Sequence, residues 1–237
     1  MITLGLDGTA RIASVAVCDG DRILSQFTID NGLTQSELLL PMAEDMLKSL
    51  KMTFDDIDLY AVAAGPGSFT GVRIGVSLVK GLAFGKNKPC ADVSTLEALA
   101  ENCRGLEGVI VPCMDARRAQ VYNAIFTCEG GNMHRRTEDR AIALSALAEE
   151  LRGYEDKKIY LVGDGYGVAR AALAAAGIVC ENTPELLIGA SGASVARVGM
   201  SKYEDGIYVS DSELSPTYLR LPQAERERLE REGAAKQ

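Results

Sequence analysis

The residues best suited to binding chemistry form a glycine-rich segment at 65–74, GPGSFTGVRI. An apolar, strand-like run at 59–64 precedes it, and a helix-like run follows it. Such a turn leaves backbone N–H groups unpaired at the positive end of a helix dipole, where a phosphate, a carboxylate or a partner backbone can bind. The segment has neither the Gly-Lys-Ser/Thr ending of a Walker loop nor the spacing of a GxGxxG fingerprint. Two interpretations therefore stay open, a binding turn and a plain tight turn.

Metal and nucleophile chemistry have few candidate residues in this chain. The only histidine is His134, within the charged run 133–140. One histidine cannot form a two-histidine metal site, and a serine triad or a cysteine–histidine dyad would depend on that same residue. The six cysteines form no CxxC pair, which predicts buried free thiols in a reducing compartment. We expect no catalytic residue, no metal-ligating residue and no metal-dependent activity.

Composition limits the classes of partner. The 237 residues are 47% hydrophobic, which suffices for a packed core, and the formal net charge is −8. Because phosphate contacts supply most non-specific affinity for nucleic acid, an acidic chain is a poor binder of RNA on its own. We expect tRNA to be bound weakly by this chain alone. We also expect no signal peptide and no membrane span, and hence a cytoplasmic location.

The order of predicted elements repeats along the chain. A three-stranded meander at 1–28 is followed by a helix at 36–50, a strand at 59–64 and a helix at 70–84. A second meander starts near 109, with one strand expected at 120–127, and helix–strand alternation follows again. The repeat predicts an α/β fold with two ribonuclease-H-like lobes, each a mixed sheet flanked by helices. We expect a first lobe at 1–104, an abridged second lobe at 105–220 that partly packs back on the first, and a charged tail at 221–237.

The first two helices are the predicted partner surface. The helix at 36–50, with Ser36 as its expected cap, has an apolar arc wider than one sheet requires, and the helix at 70–84 has glycines that permit close approach of another helix. A fully intramolecular core helix remains an equal alternative for the first. We expect pairing through eight residues of this region: Leu39, Met42, Met46, Phe69, Thr70, Arg73, Val76 and Lys80. The same surface would support a homodimer when the partner is absent.

Several segments together carry a family resemblance. Residues 65–75 resemble the most characteristic segment of the bacterial TsaB (YeaZ) family. Four further segments also resemble the family and occur in the same order along the chain as in the family: 4–9, 93–98, 114–122 and 216–220. The resemblance implies the actin-like ATPase fold and a cytoplasmic protein that partners the catalytic subunit TsaD and the ATPase TsaE. That complex transfers threonylcarbamoyl to N6 of adenosine 37 of tRNA. The resemblance thus implies a non-catalytic scaffold that recruits its partners and meets tRNA only through the complex.

The wider superfamily suggests where a nucleotide would bind. Its active members have a DxGT phosphate turn after the first strand, which Asp7-Gly8-Thr9 resembles in shortened form, and 163–167 occupies a second such position. Each is either a nucleotide-binding turn or a plain polar turn. We expect no intrinsic cofactor, with ATP or ADP held at the interface of the complex. Where many family members have His-Ser before the first helix, this chain has Gln35-Ser36. The alternative function is a stand-alone ATPase or kinase, or an M22-type peptidase.

One further turn remains open. Asp115-Ala116-Arg117-Arg118 joins a carboxylate to two guanidinium groups between predicted strands. It is either a salt-bridged turn or a loop that contacts an anion.

Overall fold

The structure is a computed structural model that describes residues 1–220, so the predicted charged tail at 221–237 lies outside the described residues. The first sheet has the strand order β3-β2-β1-β4-β5. Its first three strands are antiparallel, and β1 then pairs in parallel with β4, which pairs in parallel with β5. This order confirms the predicted ribonuclease-H-like topology. The strands are β1 (Ile2–Asp7), β2 (Ala13–Asp19), β3 (Arg22–Ile29), β4 (Leu59–Gly65) and β5 (Cys90–Ser94).

Two long helices cover one face of the first sheet: α1 (Gln35–Leu50) and α2 (Phe69–Ala83). The cap of α1 is Thr34 and not Ser36, because the carboxylate of Glu37 reaches back to accept the N–H of Thr34 at 2.9 Å. Ser68 caps α2 and accepts the N–H of Gly71 at 3.3 Å. Both helices place their apolar stripes in one buried cluster with the inward side chains of β1 and β2.

The second sheet repeats the first in shortened form. Its central strand is β6 (Gly108–Asp115), which pairs in parallel with β11 (Ile159–Val162) along one side. Along its other side β6 pairs antiparallel with both β7 (Gln120–Asn123) and β8 (Phe126–Glu129). The third position of the meander is likewise divided, between β9 and β10. The strands are β6 (Gly108–Asp115), β7 (Gln120–Asn123), β8 (Phe126–Glu129), β9 (Asn132–Arg135), β10 (Arg140–Ala143) and β11 (Ile159–Val162).

The prediction of a single strand at 120–127 is wrong, because the structure has two strands there. Both keep the same antiparallel register with β6, and the break falls opposite Pro112. Proline has no N–H to donate to the ladder, so pairing lapses where it lies. The side chain of Asn123 fills the gap by donating to the carbonyl of Pro112 at 2.9 Å.

The remaining helices are α3 (Thr95–Glu101), α4 (Leu144–Leu151), α5 (Tyr166–Ala175), α6 (Glu185–Ile188) and α7 (Gly192–Glu204). Two single-turn 3-10 helices occur at Phe54–Asp56 and Arg152–Tyr154. Helix α7 crosses back and packs on the face of the first sheet opposite α1 and α2. A methyl group on Gly5 would lie 2.1 Å from the carbonyl oxygen of Gly192, so α7 touches β1 nearly backbone to backbone. The division near residue 104 stays a prediction.

Within residues 1–220, none of the helices combines the length and the apolar character that crossing a membrane requires.

Candidate functional site between the two lobes

The glycine-rich turn, residues 65–71, packs on the first turn of the chain. The Ser68 N–H donates to the carbonyl of Thr9 at 2.6 Å. A Cβ on Gly67 would lie 2.5 Å from that same oxygen, and a Cβ on Gly71 would lie 2.0 Å from the carbonyl oxygen of Gly8. Real Cβ atoms do not approach backbone oxygens so closely, so side chains are excluded here by packing. The glycines of the turn therefore serve contact between two segments of the same chain.

The C-terminal segment, residues 214–220, closes over this turn. Gly65 has φ +120°, and a Cβ there would lie 2.4 Å from the carbonyl oxygen of Thr217, whose own N–H donates to Ala64 at 2.7 Å. The ring of Tyr218 stacks on Phe69 with centroids 4.4 Å apart. Three distant parts of the sequence thus meet at one junction.

Two arginines stabilise this junction by hydrogen bonds. Arg73 lies over the ring of Phe69 at 3.9 Å and donates its Nε–H to the hydroxyl of Tyr218 at 2.8 Å. Arg220 donates to the carbonyl of Ala116 at 3.4 Å and to the side chain of Gln120 in the second lobe. The C-terminal segment therefore ties α2 of the first lobe to the turn between β6 and β7 of the second.

That β6–β7 turn is salt-bridged, and its backbone is strained. Asp115 accepts the backbone N–H of Arg117 at 2.8 Å and forms an ion pair with its guanidinium at 3.5 Å. Arg117, Arg118 and Ala119 have φ of 63°, 54° and 55°, which is uncommon for residues other than glycine. The Arg117 side chain is 87% exposed, so solvent screens the ion pair and it contributes little stability. Of the two interpretations, the structure shows the salt bridge.

Two adjoining cavities lie between the lobes. The outer cleft, about 550 Å³, is bounded by the glycine-rich turn, the C-terminal segment and the β6–β7 turn. The inner pocket, about 450 Å³, is bounded by residues that follow strand ends of both lobes and by the loop before α7. The two share Ala10, Arg11, Met114 and Asp164 in their walls.

The predicted nucleotide turn, Asp7-Gly8-Thr9, is largely engaged within the chain. Asp7 is 1% exposed, and one of its carboxylate oxygens accepts both the N–H and the hydroxyl of Thr9, at 2.9 and 2.7 Å. The other oxygen, Oδ2, has no hydrogen-bond partner within the described residues. Burial raises the pKa of Asp7 above its ordinary value, and the nearby charge of Asp164 adds a smaller rise. The N–H of Thr9 is thus already used, and nucleotide binding at this turn stays a prediction.

The structure corrects half of the predicted partner residues. Four of them are buried in the core of this chain, where they face the first sheet and its helices: Leu39, Met42, Met46 and Val76. The wide apolar arc of α1 is thus used by its own lobe, since β2, β3 and α2 pack against it. A charge at Met42 or Met46 would unfold the chain before it tested an interface.

The other four predicted partner residues lie on or near the surface of α2. Thr70 is exposed, whereas Phe69 and Arg73 contact Tyr218. Lys80 donates to the carbonyls of Ser212 and Leu214 at 3.0 and 2.9 Å. Local sequence patterns did not predict these contacts of the C-terminal segment. Tyr218 and Arg220 lie in the segment at 216–220 that carries the family resemblance, but nothing near them in the sequence predicts their contacts with α2 and with the second lobe.

His134 lies exposed on β9, apart from the junction. Within residues 1–220 no three His, Cys, Asp or Glu side chains are grouped so that they could hold a metal ion. Five of the cysteines are buried and Cys180 is half-buried. Burial raises the pKa of Cys103 and Cys113 to about 12, so these two thiols are poor nucleophiles.

Known proteins share both sequence and fold with this chain. A family model described as TsaD, tRNA N6-adenosine threonylcarbamoyltransferase, matches residues 34–224. The tRNA threonylcarbamoyladenosine biosynthesis protein TsaB of Bacillus subtilis strain 168 is 32% identical over 69% of this chain and 71% of its own length. The TsaB protein of Escherichia coli strain K12 is 27% identical over 93% of this chain and 95% of its own length.

A solved structure agrees on the fold. The crystal structure of a Pseudomonas aeruginosa protein, described as similar to peptidase YeaZ, superposes with a TM-score of 0.75 at 23% identity. It covers 92% of this chain and 99% of the other. The sequence similarity to the curated TsaB proteins places the chain in one family, and the solved structure agrees on the fold. The chain belongs to the TsaB (YeaZ) family.

Proposed function

We propose that this protein is a non-catalytic subunit of the machinery that makes threonylcarbamoyladenosine in tRNA. In this proposal it pairs with a TsaD-like catalytic subunit and recruits a TsaE-like ATPase in the cytoplasm. The observation that carries the proposal is similarity to a curated TsaB protein over 93% of the chain. Because a match of this extent spans both lobes, it concerns the whole architecture and not one motif.

The exposed stripe shared by α1 and α2 is the proposed partner surface. On α1 the side chains that point away from the core include Leu40, Pro41 and Glu44. On α2 the exposed positions include Gly81, where an added Cβ would meet nothing within 4 Å, and the helix ends beside Phe84, which is 77% exposed. An open glycine together with an exposed aromatic ring suits close approach of another helix pair.

Internal contacts support a scaffold role. The glycine-rich turn is occupied by Gly8, Thr9 and Thr217, so it acts as a structural junction. That junction lies at the first turn of α2, where the C-terminal segment connects α2 to the second lobe. It would therefore hold α2 in a defined orientation for a partner. The chain has a single histidine, and thus no histidine pair of its own to bind a metal.

In this proposal tRNA and nucleotide are met within the complex. With a net charge of −8, the isolated chain repels a polyanion at long range, and counterion release needs clustered basic residues. We therefore assign most of the phosphate contact to the partner. ATP or ADP would bind where the two subunits meet.

Co-purification with the TsaD protein of the same organism tests the proposal. Leu40→Glu and Gly81→Glu place charge on the proposed surface without touching the core. Val168→Glu, at a 46% exposed position on α5 of the second lobe, is the matched control. We expect the first two to weaken pairing by about tenfold or more, the effect of losing about 1.4 kcal/mol, and to lower threonylcarbamoyl transfer in the reconstituted system.

Circular dichroism and thermal melts of each isolated variant check that it folds. Undiminished pairing by folded Leu40→Glu and Gly81→Glu would reject the surface. Threonylcarbamoyl transfer by TsaD and TsaE that does not need this chain would reject the function.

A further inference from the structure

We propose that the inner pocket between the lobes binds a small molecule that carries an ammonium or other N–H donor group on an apolar body. The inference is independent of the partner role proposed above. It rests on the walls of the pocket, on two lining residues that each carry an unpaired buried polar atom, and on the sign of the charges around it.

The pocket has the size and the wall chemistry of a small-molecule site. Its volume is about 450 Å³, and pockets for such ligands span roughly 300–1,000 Å³. The apolar part of its wall comes from both lobes: Ile12, Leu99, Met114 and Ile188. A few polar groups converge among these side chains, as in sites where apolar contact supplies affinity and hydrogen bonds supply orientation.

Two residues that line the pocket, Asp7 and Thr95, are each 1% exposed. Oδ2 of Asp7 and the hydroxyl oxygen of Thr95 are buried and have no hydrogen-bond partner within the described residues. An unsatisfied buried polar group costs about 1–3 kcal/mol, so native proteins pair nearly all of them. A ligand donor that reaches either atom would satisfy it.

The charges around the pocket favour a positively charged ligand. Asp7, Asp30, Asp164 and Glu185 line it, against one cation, Arg11, which already pairs with Asp30. This excess of negative charge repels a free phosphate or carboxylate and attracts a cation. Burial raises the pKa of Asp7, and an ammonium beside it would favour the charged carboxylate again.

The polar groups are held on rigid elements. Asp7 ends β1, Asp164 follows β11, and Thr95 begins α3 directly after β5. Ligands of α/β sheets bind outside the carboxyl ends of the strands, and all three residues lie at such ends. Asp164 is fixed further, because it accepts the backbone N–H of Asp115 at 3.0 Å.

Benzylamine and benzoate are a matched pair of probes, since they share an apolar ring and differ in the sign of the charged group. In protein-observed NMR of the full chain, we expect benzylamine to bind with an affinity on the order of millimolar, as suits a ligand of this size, and to shift the amide signals of Asp7, Thr9, Thr95 and Asp164. We expect benzoate to shift none of them.

Three variants make the test specific. Thr95→Val removes only the hydroxyl and should weaken benzylamine binding by about threefold, the value of one neutral hydrogen bond. Asp164→Asn removes one of the four carboxylates that line the pocket and should weaken benzylamine binding by about tenfold, through lost attraction for the ammonium. Asp156→Asn, an equal change of charge on an exposed residue of the second lobe, should have no effect.

Three results would overturn the proposal. They are no binding of benzylamine, equal binding of benzylamine and benzoate, and benzylamine affinity that neither Thr95→Val nor Asp164→Asn changes in a folded protein. The first would show a pocket that holds only solvent, and the other two a cavity without the proposed polar recognition.

Discussion

Three glycines of α2 allow the packing role of the glycine-rich turn to be measured within one helix. A Cβ on Gly71 would lie 2.0 Å from the carbonyl oxygen of Gly8, whereas on Gly75 it would lie 3.3 Å from the Cγ2 of Val62. On Gly81 it would meet nothing within 4 Å. Alanine at these three positions makes the same chemical change in three different surroundings.

The expected magnitudes follow from two opposing effects. Replacing glycine by alanine inside a helix stabilises it by about 1 kcal/mol, because glycine loses more backbone entropy on folding. Gly81→Ala should show this gain in full. Overpacking costs about 1–3 kcal/mol and more where backbone must shift. A backbone oxygen at 2.0 Å from the new Cβ puts Gly71→Ala at the upper end, so we expect a net loss of about 2 kcal/mol. Gly75→Ala, which meets only a side-chain methyl, should fall between the two.

Urea unfolding of the isolated protein, followed by circular dichroism, measures these differences through the transition midpoint at constant m value. We expect Gly81→Ala and Gly71→Ala to differ by about 3 kcal/mol in free energy of unfolding, the sum of the gain and the loss above. Equal midpoints for Gly71→Ala and Gly81→Ala would refute the reasoning, since the contact with the first turn would then exclude no side chain.

Two further predictions concern the junction. Tyr218→Phe removes the hydroxyl that accepts the Arg73 Nε–H and should lower the free energy of unfolding by about 1 kcal/mol. Tyr218→Ala also loses the stack on Phe69 and should lower it by about 2 kcal/mol. Unchanged urea midpoints for both variants would show that the C-terminal segment contributes nothing to stability. The pKa of Asp7 is raised above its ordinary 3.8, so the folded state binds the proton more tightly and stability falls as pH rises through the interval between the two values. The side-chain oxygen of Asp7→Asn can still accept the bonds from Thr9, and we expect this variant to flatten that fall in stability. Thermal melts from about pH 3 to pH 7, a range around the ordinary carboxyl pKa, measure the effect. The prediction is wrong if the stability of the original protein rises over this range with the same slope as that of the variant.

Local pattern sufficed for much of the fold. The alternating apolar runs at 1–28 predicted the meander, the helical spacing at 36–50 predicted α1, and the glycine-rich turn separated β4 from α2 within one residue of the observed bounds. These elements depend on periodicity and on turn residues, which act over a few positions of the chain. The split of the strand at 120–127 could not be predicted from that segment, since its cause, Pro112, lies in the neighbouring strand.

The candidate site was harder to predict, because its geometry depends on contacts between distant segments. The sequence placed Asp7, Gly8 and Thr9 at one turn and glycines at another, and the structure shows that the two turns pack on each other. The apolar side of α1, with Met42 and Met46, was predicted to meet a partner, yet both residues lie in the core. An apolar arc indicates that a helix face is covered, and does not indicate by what.

By itself, the sequence determined the α/β class, the repeated order of elements, the family and the absence of a histidine pair, all of which can be read from residue types and their spacing. Only the tertiary structure decided that the glycines of 65–71 are required by Gly8, Thr9 and Thr217, and that Tyr218 and Arg220 connect the lobes. It also decided that Asp7 and Thr95, each with an unpaired buried polar atom, line one pocket. Each of these depends on a distance between residues far apart in the chain. Such distances are determined by the packing of the two sheets and of α7 against them, which local periodicity does not encode.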